Sequence, residues 1–83
     1  MNNKQKTLNT EILRIQENIL HHEENRLFYL DLYIRSNDAE QQSHFLNLVN
    51  QYGKMKFENE IYLEELLRER YKLIIVPEGE EFI

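Results

Sequence analysis

The chain has 83 residues, of which 41% are hydrophobic and none is cysteine, and its formal net charge at pH 7 is −5. These values exclude disulfide bonds and thiolate metal sites, and the length is near the lower limit for a domain that folds on its own hydrophobic core. Both glycines and the only proline lie at or after residue 53. Their scarcity favours long helices over a fold with many turns.

The acidic excess lies entirely after residue 35, because residues 1–35 hold five basic and five acidic side chains. An acidic second half repels phosphate and argues against a broad DNA-binding face. The polar start has no apolar core of signal-peptide length, and no run approaches the roughly 20 apolar residues of a membrane span. Together with the absence of cysteine, these features predict a cytoplasmic protein.

The first predicted element is a long amphipathic helix over residues 4–35. Leu8, Ile12, Ile15 and Ile19 recur at helical spacing. A strict heptad would next place His22 and Arg26 in this stripe. We therefore expect the stripe to step over one residue and to continue through apolar side chains; these are Leu27, Leu30 and Ile34. Thr7 and Thr10 are candidate N-caps.

A turn and a second helix follow. Ser36, Asn37 and Asp38 are turn formers, and Asp38 with Gln41 fits a loose capping box. Residues 38–72 then carry a heptad in steps of three and four: Phe45, Leu48, Tyr52, Met55, Asn59, Tyr62, Leu66, Glu69 and Leu73. Gly53 is a weak point in this helix. A break there, which would give three helices, is the alternative.

The two helices match in length and in pattern. If the chain folds back about residue 37, residues whose numbers sum to roughly 74 are neighbours. Leu8 then lies opposite Leu66, and Tyr29 lies opposite Phe45. The predicted fold is all-α, with a helical hairpin domain over residues 1–72 and a short extended tail over residues 73–83.

One hairpin seam leaves many apolar side chains in water: Leu13, Leu20, Phe28, Leu46, Val49, Phe57, Ile61, Leu63 and Leu67. The simplest way to cover them is a homodimer that packs two hairpins into a four-helix bundle, and the alternative is a different protein on the same face. Asn59, at a heptad core position, is expected either to meet its own copy in the dimer or to bind water at the rim.

The tail raises a separate question. Ile74, Ile75 and Val76 precede Pro77, and β-branched residues before proline favour extended backbone. Two interpretations stay open. The segment either packs back on the end of the bundle or adds as a strand to a partner.

No pattern predicts catalysis. Glu17, His21 and Glu24 share one helix face and are the only local metal candidates, but a solvated helix face explains them as well. Ser43 and His44 are adjacent, so on a helix they do not face each other. No phosphate-binding loop is present. The sequence predicts no enzyme, no cofactor and no metal.

We therefore predict a non-catalytic, coiled-coil-like protein that dimerises and binds another protein as a regulator, an inhibitor or an assembly factor. Its predicted interface comprises Leu13, Leu20, Phe28, Tyr33, Phe57, Asn59, Ile61, Leu67, Ile74, Ile75 and Val76. A small nucleic-acid-associated dimer is the alternative. Its basic residues, Lys4, Lys6, Arg14, Lys54 and Lys56, form no single obvious patch.

Overall fold

The protein is a helical hairpin. The structure, a computed structural model, describes residues 3–75, in which α1 spans Asn3–Arg35 and α2 spans Ala39–Ile75. The helices pack against each other antiparallel, and the Cα atoms span 61 × 25 × 12 Å. The described residues contain no strand. The predicted all-α hairpin is thus confirmed, and residues 3–75 form a single layer of two helices.

The second helix is continuous through Gly53 and ends later than predicted. It includes Leu73–Ile75, so the three-helix alternative and an extended segment beginning at residue 73 are both wrong. The physical reason is that proline restricts mainly the residue directly before it, which is Val76 here. The expectations for Val76 and for the rest of the tail lie outside the described residues.

The turn is closed by side-chain hydrogen bonds. The Glu40 backbone N–H donates to Oδ1 of Asp38 at 3.1 Å, which confirms Asp38 as the N-cap of α2. Nε2 of Gln42 donates to the Ser36 carbonyl at 2.7 Å. Gln41 instead accepts from the Ser36 hydroxyl at 3.4 Å, so the expected Asp38–Gln41 capping box does not form.

Thr7 and Thr10 are not N-caps either. Their hydroxyls donate to the carbonyls of Asn3 and Lys6, at 2.8 and 3.1 Å. Both threonines therefore lie inside α1, because the helix is already formed at Asn3.

The buried and half-buried residues of α1 include an unbroken heptad, contrary to our expectation. Its members are Leu8, Ile12, Ile15, Ile19, His22, Arg26, Tyr29 and Tyr33. Of the three residues predicted to continue this row, Leu27 and Ile34 are 49% and 70% exposed, and Leu30 is half-buried but outside the row. The polar positions are tolerated because Arg26 bonds Glu23, Glu23 bonds Lys56 across the helices, and the ring of His22 lies 6.3 Å from that of Tyr52.

On α2, every second member of the matching row lies one residue later in the sequence than predicted. It comprises Phe45, Val49, Tyr52, Lys56, Asn59, Leu63, Leu66, Arg70 and Leu73. We call the two rows together the hairpin seam. Met55, Tyr62 and Glu69 are exposed, whereas Leu63 packs against the core. The Tyr62 hydroxyl reaches Oε1 of Glu11 at 3.4 Å, so this ring keeps its polar end satisfied outside the seam.

Three residues predicted to lie on the second apolar face are therefore reassigned. Val49 is buried, and Leu63 and Leu67 pack against the core. They do so because the seam passes through positions 49 and 63 rather than 48 and 62, which brings these side chains against α1.

The hydrophobic core lies at the end remote from the turn. Leu8, Ile12, Ile15 and Leu66 form it, and partly buried side chains surround them: Ile19, Leu63, Leu67 and Leu73. Near the turn, the ring of Tyr29 stacks on Tyr52 and Phe45, with centroids 5.7 and 6.4 Å apart. The pairings of Leu8 with Leu66 and of Tyr29 with Phe45 confirm the predicted register.

Candidate protein interface

Cross-helix contacts define two sides of the flat hairpin. On one side, which we call the Tyr62 side, Glu11 meets the Tyr62 hydroxyl. On the other, which we call the Glu23 side, Nζ of Lys56 lies 3.0 Å from Oε2 of Glu23. Gly53 belongs to the Glu23 side, because a Cβ there would lie 3.6 Å from Cδ of Arg26.

On α1, a row of large exposed apolar residues repeats every seven positions: Leu13, Leu20, Leu27 and Ile34. Leu13 is two residues, or about 200°, from Glu11, so it points away from the Tyr62 side. Leu20 and Leu27 lie three residues before and four residues after Glu23, so they flank it. The whole row therefore lies on the Glu23 side.

On α2, three large exposed side chains lie on the same side. Leu46 precedes Gly53 by seven residues, Phe57 follows it by four, and Tyr71 comes two heptads after Phe57. We call these three residues and the α1 row the apolar face. The remaining large exposed hydrophobic residues lie elsewhere. Met55 and Tyr62 are on the opposite side, and Phe28 and Ile61 are at the outer edges.

The apolar face is a second seam, displaced by one residue from the hairpin seam. Ile12 is 3% exposed and its neighbour Leu13 is 61% exposed. The same shift relates Ile19 to Leu20 and Lys56 to Phe57. Helices that carry two adjacent seams are suited to contact two neighbours at once, as in a four-helix bundle. Leu67 lies between the two seams.

Within the part of the chain that the structure describes, no second layer covers this face. The Cα thickness of the hairpin is 12 Å, whereas stable domains bury their apolar surfaces between two packed layers. Exposed apolar side chains in this number mark interaction surfaces on soluble proteins.

The charges at the centre of the face are largely paired. Arg26 donates to both carboxylate oxygens of Glu23, at 2.8 and 2.6 Å. These hydrogen bonds, and then the bond from Lys56, lower the pKa of Glu23 from 4.5 to about 2. With Glu60, which is one turn from Lys56, the central residues hold two acidic and two basic groups. The centre of the face is therefore neutral.

The two outer edges differ in charge. The α1 edge carries Glu17, Glu24 and Asp31, each four residues after a member of the leucine row. Asp31 pairs with Arg35 at 3.2 Å. The α2 edge carries Lys54 and Arg68, and Arg68 pairs with Glu64 at 2.6 Å. These two pairs leave Glu17 and Glu24 on the α1 edge and Lys54 on the α2 edge, so the remaining charges of the two edges are opposite.

The predicted interface residues separate into three groups. Leu13, Leu20 and Phe57 lie on the apolar face, whereas Phe28 and Ile61 are exposed outside it, at the outer edges of the hairpin. A half-buried group lies in or beside the hairpin seam: Tyr33, Asn59 and Leu67. Ile74 and Ile75 extend α2, and Val76 lies outside the described residues.

Asn59 has a partner within its own helix. Its Nδ2 donates to the Met55 carbonyl at 2.8 Å. This bond gives the side-chain amide of Asn59 a hydrogen-bond acceptor without water or a second copy. Asn59 is not on the apolar face.

Four residues of the apolar face are not in the predicted interface: Leu27, Ile34, Leu46 and Tyr71. For Leu27 and Ile34, the sequence shows only that they share a row with Leu13 and Leu20, because the four residues repeat at intervals of seven. The predicted stripe instead places Leu27 and Ile34 in the hairpin seam.

The metal hypothesis finds no support within residues 3–75. No group of three or more His, Asp or Glu side chains is placed there to hold a metal ion. Glu17, His21 and Glu24 are all exposed on α1.

Neither helix, as far as the structure describes it, has an apolar stretch of the length that crossing a bilayer requires. No protein-family model, curated protein or solved structure matches the chain.

Proposed function

We propose that this chain is a non-catalytic protein-binding module that acts as a regulator, an inhibitor or an assembly factor, and that the apolar face is its binding surface. One observation carries the proposal. Seven large apolar side chains project from one side of a hairpin that has no second layer. The role requires a protein surface to cover them, either a second copy or another chain.

The energies agree with such a role. Covering one half-exposed leucine contributes on the order of 1 kcal/mol, about half the value for full burial. Seven side chains then contribute on the order of 7 kcal/mol, which is comparable with the stability of a whole small domain. The chain gains this free energy when a protein surface covers the apolar face.

The nucleic-acid alternative has less support. Arg14 bonds Glu11 and Lys56 bonds Glu23, so two of its five basic groups are already neutralised by neighbouring carboxylates. Phosphate binding would have to compete with these pairs.

The experiment is capture from the native cell with a tagged chain expressed beside the untagged one. Leu20→Glu places a charge in the apolar face, and Phe28→Glu places one at an equally exposed site outside it, since the two residues are 60% and 59% exposed. We expect the wild type and Phe28→Glu to retain a protein, whether the untagged copy or another chain, and Leu20→Glu to lose it. Equal recovery by both variants would contradict the proposal.

A further inference from the structure

We infer that a second copy of this chain covers the apolar face, with α1 of each copy lying over α2 of the other. The inference deepens the proposed function, on which it rests, by naming the occupant of the face. The two-fold axis runs parallel to the helices, so every helix in the resulting four-helix bundle is antiparallel to its neighbours.

Charge selects this arrangement over the other symmetric one. Two hairpins that meet face to face place α1 either over α1 or over α2 of the second copy. The first choice aligns the acidic edge of Glu17 and Glu24 with the same edge of the other copy, which is repulsive. The second choice aligns this edge with the basic edge that carries Lys54.

The register brings these groups within reach. Rotation about an axis parallel to the helices leaves heights along them unchanged, so residues that sum to about 74 stay level between copies. Lys54 of one copy is then level with residue 20 of the other. It lies between Glu17 and Glu24, about 5 Å along the helix axis from each. The edges of the dimer are therefore complementary on both sides.

The apolar residues interlock in the same register. Leu20 is nearly level with Gly53 of the other copy, where the missing side chain leaves room for it. Phe57 of the other copy falls between Leu13 and Leu20, and Leu46 falls near Leu27. Because the charges at the centre of the face balance within each copy, no counter-charge is needed from the second copy.

The first test is sedimentation equilibrium of the whole chain. We expect a dimer whose dissociation constant rises at least about a hundredfold in Leu20→Glu, because each dimer loses two buried leucines. Phe28→Glu should leave it unchanged, and circular dichroism checks that both variants keep their helix content. A monomeric wild-type protein, or equal effects of the two substitutions, would overturn the inference.

A charge-exchange test uses exposed positions, whose substitution leaves the hairpin core untouched. Two variants place like charges at both edges of the dimer: the single variant Lys54→Glu and the double variant Glu17→Lys/Glu24→Lys. Each should raise the dissociation constant of its own homodimer about threefold to tenfold. An equimolar mixture should form heterodimers with the wild-type dissociation constant, because attraction is restored at both edges. A mixture no tighter than its components would refute the arrangement of α1 over α2.

The two proposals fail differently. If the wild type is monomeric but Leu20→Glu still loses a captured cellular protein, the second copy is wrong and the binding face stands. If the wild type is monomeric and the two variants capture alike, both are wrong.

Discussion

Nζ of Lys56 on α2 lies 3.0 Å from Oε2 of Glu23 on α1, near the middle of the hairpin. The same carboxylate accepts two hydrogen bonds from Arg26. This cluster explains how the heptad can include charged residues at positions that are usually apolar. The charged ends satisfy one another at the surface while the long aliphatic stems cover the seam.

The cluster makes stability sensitive to acid. Folding lowers the pKa of Glu23 from 4.5 to about 2, so the unfolded chain binds this proton more readily than the folded one. Its stabilising contribution is fully present above about pH 4.5 and is lost as the pH falls towards 2. Urea unfolding followed by circular dichroism across this range should show a smaller acid-induced loss in Glu23→Gln. The control is Glu17→Gln at an exposed site. Parallel curves for the wild type and Glu23→Gln would rule out this linkage.

Replacement of Gly53 by alanine should stabilise the hairpin. The new Cβ would lie at ordinary contact distance, 3.6 Å, from Cδ of Arg26, and alanine in a helix interior is favoured over glycine by about 1 kcal/mol. The melting temperature of the dilute protein should rise by about 4–8 °C for a domain of this size. A fall would mean that the helix is strained at this position. In concentrated protein, a higher dimer dissociation constant for Gly53→Ala than for the wild type would indicate that Leu20 of the second copy lies close to residue 53.

The sequence predicted the helices and their register well for a physical reason. Few breakers interrupt the pattern before residue 77, and Ser36–Asp38 supply both a turn and an N-cap, so local chemistry decides where each helix begins and ends. Because the two helices have similar lengths, the position of the turn then determines which residues meet, as Tyr29 and Phe45 do. The largest error in a helix boundary is at the end of α2, where continuation of the helix outweighs the β-branching of Ile74 and Ile75.

The assignment of rows to seams could not be predicted in the same way. Apolar residues occupy adjacent rows, as in Ile12–Leu13, Ile19–Leu20 and Leu66–Leu67, so periodicity alone allows either row to face the partner helix. The choice depends on long-range contacts such as Glu23 with Lys56. Spacing within one helix does not report such contacts, which is why Leu27 and Ile34 were assigned to the wrong row.

The N-cap at Asp38 offers a test of the turn. Asp38→Ala removes the acceptor for the Glu40 N–H and should cost about 1 kcal/mol of unfolding free energy. Asp38→Asn should retain most of the stability, because an amide oxygen accepts the same bond. Asn37→Ala, at the exposed neighbour, is the matched control. Urea denaturation measures all three, and equal losses in Asp38→Ala and Asn37→Ala would show that the cap contributes nothing specific.

The neighbouring residues Ile12 and Leu13 separate the two seams. Ile12→Ala leaves a cavity in the hairpin core and should cost about 2–4 kcal/mol at any protein concentration. Leu13→Ala should change the stability of the dilute chain by less than about 0.5 kcal/mol, because the side chain is exposed there. In the dimer it should raise the dissociation constant about tenfold or more, because both copies lose buried apolar area. Thermal unfolding over a hundredfold range of protein concentration distinguishes the two effects. The melting temperature of Ile12→Ala should be lower than that of the wild type at every concentration. The melting temperature of Leu13→Ala should be lower only at concentrations where the wild type is dimeric. If Leu13→Ala were equally destabilising in dilute protein, this residue would belong to the hairpin core and the apolar face would lose one of its four positions on α1.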